Sequence, residues 1–148
     1  MNLFAMFDVS GSGLTAERER AEVVASNMAN AETTRTPNGG PYHRQEVVFR
    51  STPEGNPSFA ERLASASIAD GSVQGVQVVQ VATDPTPPIR RFDPSHPDAD
   101  KDGYVSYPAI NPVQEMVDLM SAARSYQLNI SAIQSTKQMI QQSLEILS

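Results

Sequence analysis

Asp98, Asp100 and Asp102 alternate with Ala99 and Lys101 and are closed by Gly103. That is the spacing in which the first half of an EF-hand loop aims carboxylates at a calcium ion. The twelfth position of such a loop is a bidentate glutamate; here it is Ala109, preceded by Pro108, and Lys101 places a positive charge inside the cluster. These residues favour a tight acidic turn with Gly103 at positive φ over a calcium site. His43 and His96 lie in separate segments without HExxH spacing, and no serine occupies a GxSxG elbow. Gly11-Ser12-Gly13 and Gly39-Gly40 lack the lysine of a phosphate loop. The absence of cysteine removes thiolate ligands, disulfides and cysteine nucleophiles together. The residues thus name no catalytic group, no cofactor and no metal site, and the chain is not expected to be an enzyme.

The elements that carry these residues are divided first by proline. All 11 prolines lie between Pro37 and Pro112, with six of the 8 glycines. Because proline costs about 3 kcal/mol inside a helix, both ends are free to be helical and the middle is not. The expected fold is α+β: long N- and C-terminal helices paired as a coiled coil, with a small β-rich insert between them. Residues 1–36 and 111–148 form the helical domain and 37–110 the insert. With 148 residues, 39% hydrophobic content and no tryptophan, the core is small; a net charge of -6 argues against nucleic acid bound by bulk electrostatics. No apolar run approaches the roughly 18 residues of a membrane span. Met1 to Val9 is apolar but lacks a basic leader, so it is not read as a cleaved signal peptide.

Asn111-Pro112 supplies a cap and a first-turn proline for the C-terminal helix. From there Met116, Leu119, Ala123, Tyr126, Ile130, Ile133, Lys137, Ile140, Leu144 and Leu147 alternate steps of three and four. All but Lys137 are apolar, which predicts a coiled-coil seam. The rest of the helix carries only Glu115, Asp118, Arg124 and Glu145 as charges; its other polar positions are mostly Gln and Ser. A solvated helix would carry charge ladders there, so this face is expected to meet neighbouring subunits. Leu14 and Met28 belong to a weaker seam in the N-terminal helix, which is expected to kink or loosen at Gly11 and Gly13 and to stop between Asn30 and Pro37. Asn27 and Asn30 share one face; they read either as helix-end fraying or as buried amides bonded to a neighbouring backbone, fixing register. In the insert, strands are expected at Tyr42–Arg50, at Val73–Ala82 with Gly75 marking a bulge or twist, and at Gly103–Tyr107. A short helix is expected at Ser58–Ala69, and extended or irregular chain from Thr83 to Pro97.

Three blocks carry a resemblance. Ser12-Gly13-Leu14-Thr15-Ala16-Glu17-Arg18 with Ala25-Ser26-Asn27-Met28-Ala29-Asn30-Ala31-Glu32-Thr33-Thr34 resembles the N-terminal signature of bacterial flagellar rod and hook axial proteins. Asn111 to Met120, with Ala123-Arg124-Ser125-Tyr126, is similar to that family's C-terminal helix; His96 to Val105 is similar to its middle. The resemblance implies a structural axial component of the flagellar basal body that polymerises into the proximal rod and transmits motor torque to hook and filament. It implies export from the cytoplasm by the flagellar type III apparatus without a cleaved signal peptide, and a place in the rod within the periplasm. The implied partners are the rod proteins FlgB, FlgF and FlgG, the rod-base adaptor FliE, further copies of the chain and the export apparatus, with no nucleic acid and no membrane insertion. The implied subunit-packing residues are Leu14, Asn27, Met28, Asn30, Met116, Leu119, Ala123, Tyr126, Ile130, Ile133, Ile140, Leu144 and Leu147. A secreted calcium module built on Asp98 to Gly103 is the alternative from another class; a helical dimerisation module of a regulator is disfavoured for want of a basic DNA-reading helix.

Overall fold

The computed structural model describes residues 3–52 and 74–147. Helix α1 (Leu3–Ala29) leads to strand β1 (Gln45–Thr52), followed by β2 (Gly75–Thr83), β3 (Ile89–Phe92), β4 (Tyr104–Tyr107) and helix α2 (Pro112–Leu147). The short helix expected at Ser58–Ala69 lies outside the described residues. The architecture is α+β, with two terminal helices and two separate two-stranded antiparallel sheets, β1-β2 and β3-β4. No described helix is long and apolar enough to cross a membrane.

α2 begins where the proline and its cap require: the Val113 amide donates to Asn111 Oδ1 at 3.0 Å. At about 1.5 Å per residue α2 is roughly 54 Å long, some two turns longer than α1. The two helices run antiparallel, with Asn27 against Glu115, Arg20 against Asp118 and Gly13 against Asn129.

α1 runs unbroken through Gly11 and Gly13, where a kink or loosening is expected. Glycine weakens a helix by about 1 kcal/mol, but here it admits other chain. A Cβ on Gly13 would lie 3.0 Å from Asn129 Nδ2 on α2. Between the glycines, Ser12 Oγ donates to Val9 O at 2.7 Å and accepts from the Val76 amide at 3.0 Å, fastening β2 to the helix. Gly75 is needed for the same contact, since a Cβ there would lie 2.8 Å from Ser12 Oγ. The bulge expected at Gly75 sits elsewhere: Val48 pairs with Gln80 and Phe49 with Val78, so Val79 is the extra residue of β2.

The stretch expected to be extended or irregular from Thr83 to Pro97 contains the extended strand β3, paired with β4 from Ile89–Tyr107 to Phe92–Tyr104. The intervening loop is the acidic turn. Gly103 has φ +78, and Asp100 Oδ1 accepts from the amides of Asp102 and Tyr104 at 2.9 and 2.8 Å. The hydrogen bond from the Tyr104 amide, with those from Asp102 and Arg90, holds the Asp100 carboxyl below its ordinary value. Asp98 points elsewhere, accepting from Thr34 Oγ1 at 2.8 Å and tying the hairpin to the turn after α1.

The helices and β1 meet in a buried polar cluster. Asn27 has no accessible surface and Glu115 only 1%. The Asn27 amide pairs with both backbone groups of Gln45, Nδ2 donating to the carbonyl at 2.8 Å and Oδ1 accepting from the N–H at 2.9 Å. Nδ2 also donates to Glu115 Oε2 at 3.1 Å, and Tyr42 donates to Oδ1 at 3.2 Å, which fills the amide's capacity. Arg44 Nε donates to Glu115 Oε1 at 2.6 Å, and its guanidinium also meets Glu46, Asp84 and Asp118. Burial works to lower the pKa of Arg44, but its hydrogen bonds to and charge pairing with Glu115 and Glu46 outweigh it, so the pKa is raised.

Two outcomes follow for stability. Arg44→Met leaves Glu115 buried without its cation and costs about 3–5 kcal/mol, and adding Glu115→Met restores part of that loss. Urea titrations followed by tyrosine fluorescence check this, and equal stabilities for the single and double variants would contradict it. Gly11→Ala meets nothing within 4 Å and raises stability by up to about 1 kcal/mol, whereas Gly75→Ala lowers it by driving a methyl into Ser12. Thermal midpoints moving in opposite directions are the readout.

Candidate assembly interface

The line of α2 that faces α1 is small and polar. Glu115, Ala122 and Thr136 are buried and Asn129 is half-buried, each seven residues from the next. Ala122 is wholly enclosed, and the Thr136 hydroxyl donates to the Ala132 carbonyl of its own helix at 2.9 Å. α1 answers with Gly13, Ala16, Val24 and Asn27, all buried. Small residues bring the helices close while leaving the large apolar side chains of α2 to other sides.

The apolar seam expected from sequence therefore lies along a flank rather than at the centre of the helix pair. Leu119, Ile130, Ile133 and Ile140 are half-buried; Met116, Ala123, Tyr126 and Leu144 are exposed. The Leu147 side chain lies outside the described residues. On the side of α2 away from α1, Val113 is 69% exposed, Met120 63% and Leu128 65%, with Val117 beside them. This is an apolar strip, broken only by Arg124 between Met120 and Leu128, that nothing in the described chain covers.

Further along the same side, the strip gives way to Gln127, Ser131, Gln134, Ser135, Gln138 and Gln142, all exposed. The serine hydroxyls turn inward: Ser131 donates to the Gln127 carbonyl at 3.0 Å and Ser135 to the Ser131 carbonyl at 2.9 Å. What they present outward is a small side chain whose donor is already bonded, which suits close helix packing.

On α1, Leu14 and Met28 are half-buried. Asn27 is bonded wholly within the chain and has no surface to offer a neighbour. Its backbone partner is Gln45 of the same chain, so the register it fixes is that of α1, α2 and β1. Asn30 ends α1: its Nδ2 donates to the Ser26 carbonyl at 2.9 Å, and its Oδ1 accepts from Thr33 Oγ1 at 3.1 Å. Arg44 and Glu115 did not stand out in the sequence. The available signal was the seven-residue spacing of Glu115, Ala122, Asn129 and Thr136, which a search for apolar periodicity passes over.

The other clusters are engaged internally. His96 Nδ1 accepts from the Asp98 amide at 3.1 Å, and its ring packs edge-on to Tyr107. A groove of about 380 Å³ lies between α1 and β1, but its charged lining residues Arg20, Arg44, Glu46 and Asp118 are already paired with one another or with adjacent carboxylates. Among the described residues no three His, Cys, Asp or Glu side chains converge as a metal site would require.

Comparison with known proteins gives one answer over the whole length. Residues 7–35 match the family described as flagella basal body rod protein, and residues 101–146 match the flagellar basal body rod FlgEFG protein C-terminal family. The flagellar basal-body rod protein FlgC of Borreliella burgdorferi is 42% identical over 99% of both chains, and that of Bacillus subtilis is 42% identical with the same coverage. The FlgC of Escherichia coli O157:H7 is 38% identical over 99% of this chain and 98% of its own. The long antiparallel helices with their uncovered strip are thus those of a rod subunit, and the chain belongs to the FlgC family of flagellar basal-body rod proteins.

Proposed function

We propose that the chain is a non-enzymatic subunit that polymerises into the proximal rod and transmits motor torque to hook and filament. The observation that carries this reading is the outward side of α2, a strip of exposed apolar residues continued by uncharged amides. Such a surface is unfavourable in water, and burying one methionine or leucine of it yields about 1.5–3 kcal/mol. In this reading residues 1–36 and 111–148 form the inner, coiled-coil layer and 37–110 project outside it. Leu14, Met28, Met116, Leu119, Ala123, Tyr126, Ile130, Ile133, Ile140, Leu144 and Leu147 join the strip in subunit packing. The neighbours are copies of the chain, FlgB, FlgF, FlgG and the rod-base adaptor FliE. The chain reaches the rod in the periplasm through the flagellar type III apparatus, without a cleaved signal peptide.

The same surfaces bear on how the free chain behaves. The Asn27–Glu115–Arg44 cluster holds the helices at one end only, and α2 outruns α1 at the other. In a monomer, amide protection is expected to be greatest near Glu115 and to decay toward Leu147, becoming uniform on assembly. Hydrogen exchange on a dilute, proven monomer checks this; slow exchange throughout Val113–Leu147 would contradict it. Met120→Asp places a charge on the strip without touching the fold. It is expected to abolish motility while the monomer keeps its circular dichroism, and a motile strain carrying it would overturn the reading.

A further inference from the structure

Val113, Val117, Met120, Arg124 and Leu128 succeed one another along the exposed side of α2 at steps of three and four. Four are apolar and one is a cation. Among the described residues Arg124 has no hydrogen bond, ion pair or ring contact, as is also true of Arg50 on β1; Arg91 lies over the Tyr107 ring, and Arg18, Arg20, Arg35, Arg44 and Arg90 each meet a carboxylate of their own chain. If Arg124 served only solubility, a place at the edge of the strip would suffice; it stands inside it. Any surface that covers Met120 and Leu128 must also remove the guanidinium from water, and a buried cation without a counter-charge opposes that contact strongly.

Resting on the reading of this strip as a subunit contact, we infer that its occupant is a helix of another rod subunit, apolar along its contact line and bearing one carboxylate opposite Arg124. The planar guanidinium favours a carboxylate that presents both oxygens, so the pair fixes the axial position of one helix against the other. An all-apolar strip would tolerate sliding by a turn; a single buried ion pair does not. The carboxylate is of a kind the axial subunits can supply. This chain has a net charge of -6, and its α1 exposes Asp8 and Glu19 with no partner among the described residues.

The test replaces Arg124 in a motile strain and counts assembled rods alongside swimming, with the thermal midpoint of each purified variant as a folding control. Arg124→Glu is expected to reduce assembled rods by about a hundredfold or more, since it sets two carboxylates against each other. Arg124→Met is expected to be impaired as well, despite its apolar fit, because it strands the partner's carboxylate; Arg124→Lys retains partial function. Motile suppressors of Arg124→Glu should replace an Asp or Glu on a helix of a rod subunit with Lys or Arg. Wild-type swimming by Arg124→Met or Arg124→Glu would overturn the inference, as would suppressors that never alter a carboxylate. If Met120→Asp also swims, the subunit-contact reading itself fails; if Met120→Asp fails while both Arg124 variants swim, only the ion pair is refuted.

Discussion

Glu115 lies almost fully out of water, and the described structure depends on how its charge is met. Arg44 supplies the cation from the segment before β1, and Asn27 supplies a neutral donor from α1. Since Asn27 also grips both backbone groups of Gln45, one cluster sets the register of α1 against α2 and the start of β1 against both. Each member is costly to bury alone, and together they are satisfied. A displacement by one helical turn would strand a carboxylate and an amide, so the helices have one position rather than several.

That polar register leaves little room for large apolar side chains between the helices, where Val24 is the largest that is buried. Gly13, Ala16 and Ala122 let the helices approach, while Val113, Val117, Met120 and Leu128 of α2 are turned away from the pair. An isolated globular protein would use them for its core. Among the described residues the buried hydrophobic side chains are Ala16, Val24, Val105, Ile110 and Ala122, and many larger ones are exposed. In the proposed reading, stability of the single chain and stability of an assembly rest on different faces of the same helix. The lone cation within the outward strip extends the device used at Glu115, with an ion pair setting position where apolar packing alone permits sliding.

The two long helices could be read from sequence because both ends are free of internal proline and a cap-proline pair starts α2. The hairpin turn was legible for a similar reason, as Gly103 and Asp100 carry its geometry locally. The errors have a common cause. Intrinsic propensity makes Gly11-Ser12-Gly13 a place for the helix to kink or loosen, but Ser12 and Gly13 are engaged by β2 and Asn129. Gly75 within a strand pattern points to a bulge or twist, yet its lack of a Cβ serves Ser12, a residue 63 positions away in the chain. The seam of α2 was identified by its apolar residues, and its line of contact with α1 proved to be the small polar set beside it. Propensity and periodicity are local, and these features are decided by residues distant in sequence.

The central claim is that the outward side of α2 is open in the free chain and covered in the rod. A natural sequence without cysteine makes this directly measurable. Ser131→Cys is nearly isosteric, lies exposed on that side and gives a single thiol. Maleimide labelling should be complete and fast in the monomer and strongly suppressed in purified basal bodies, with an exposed hairpin control, Ser95→Cys, labelling in both. Labelling of Ser131→Cys at the monomer rate within intact basal bodies would contradict the account.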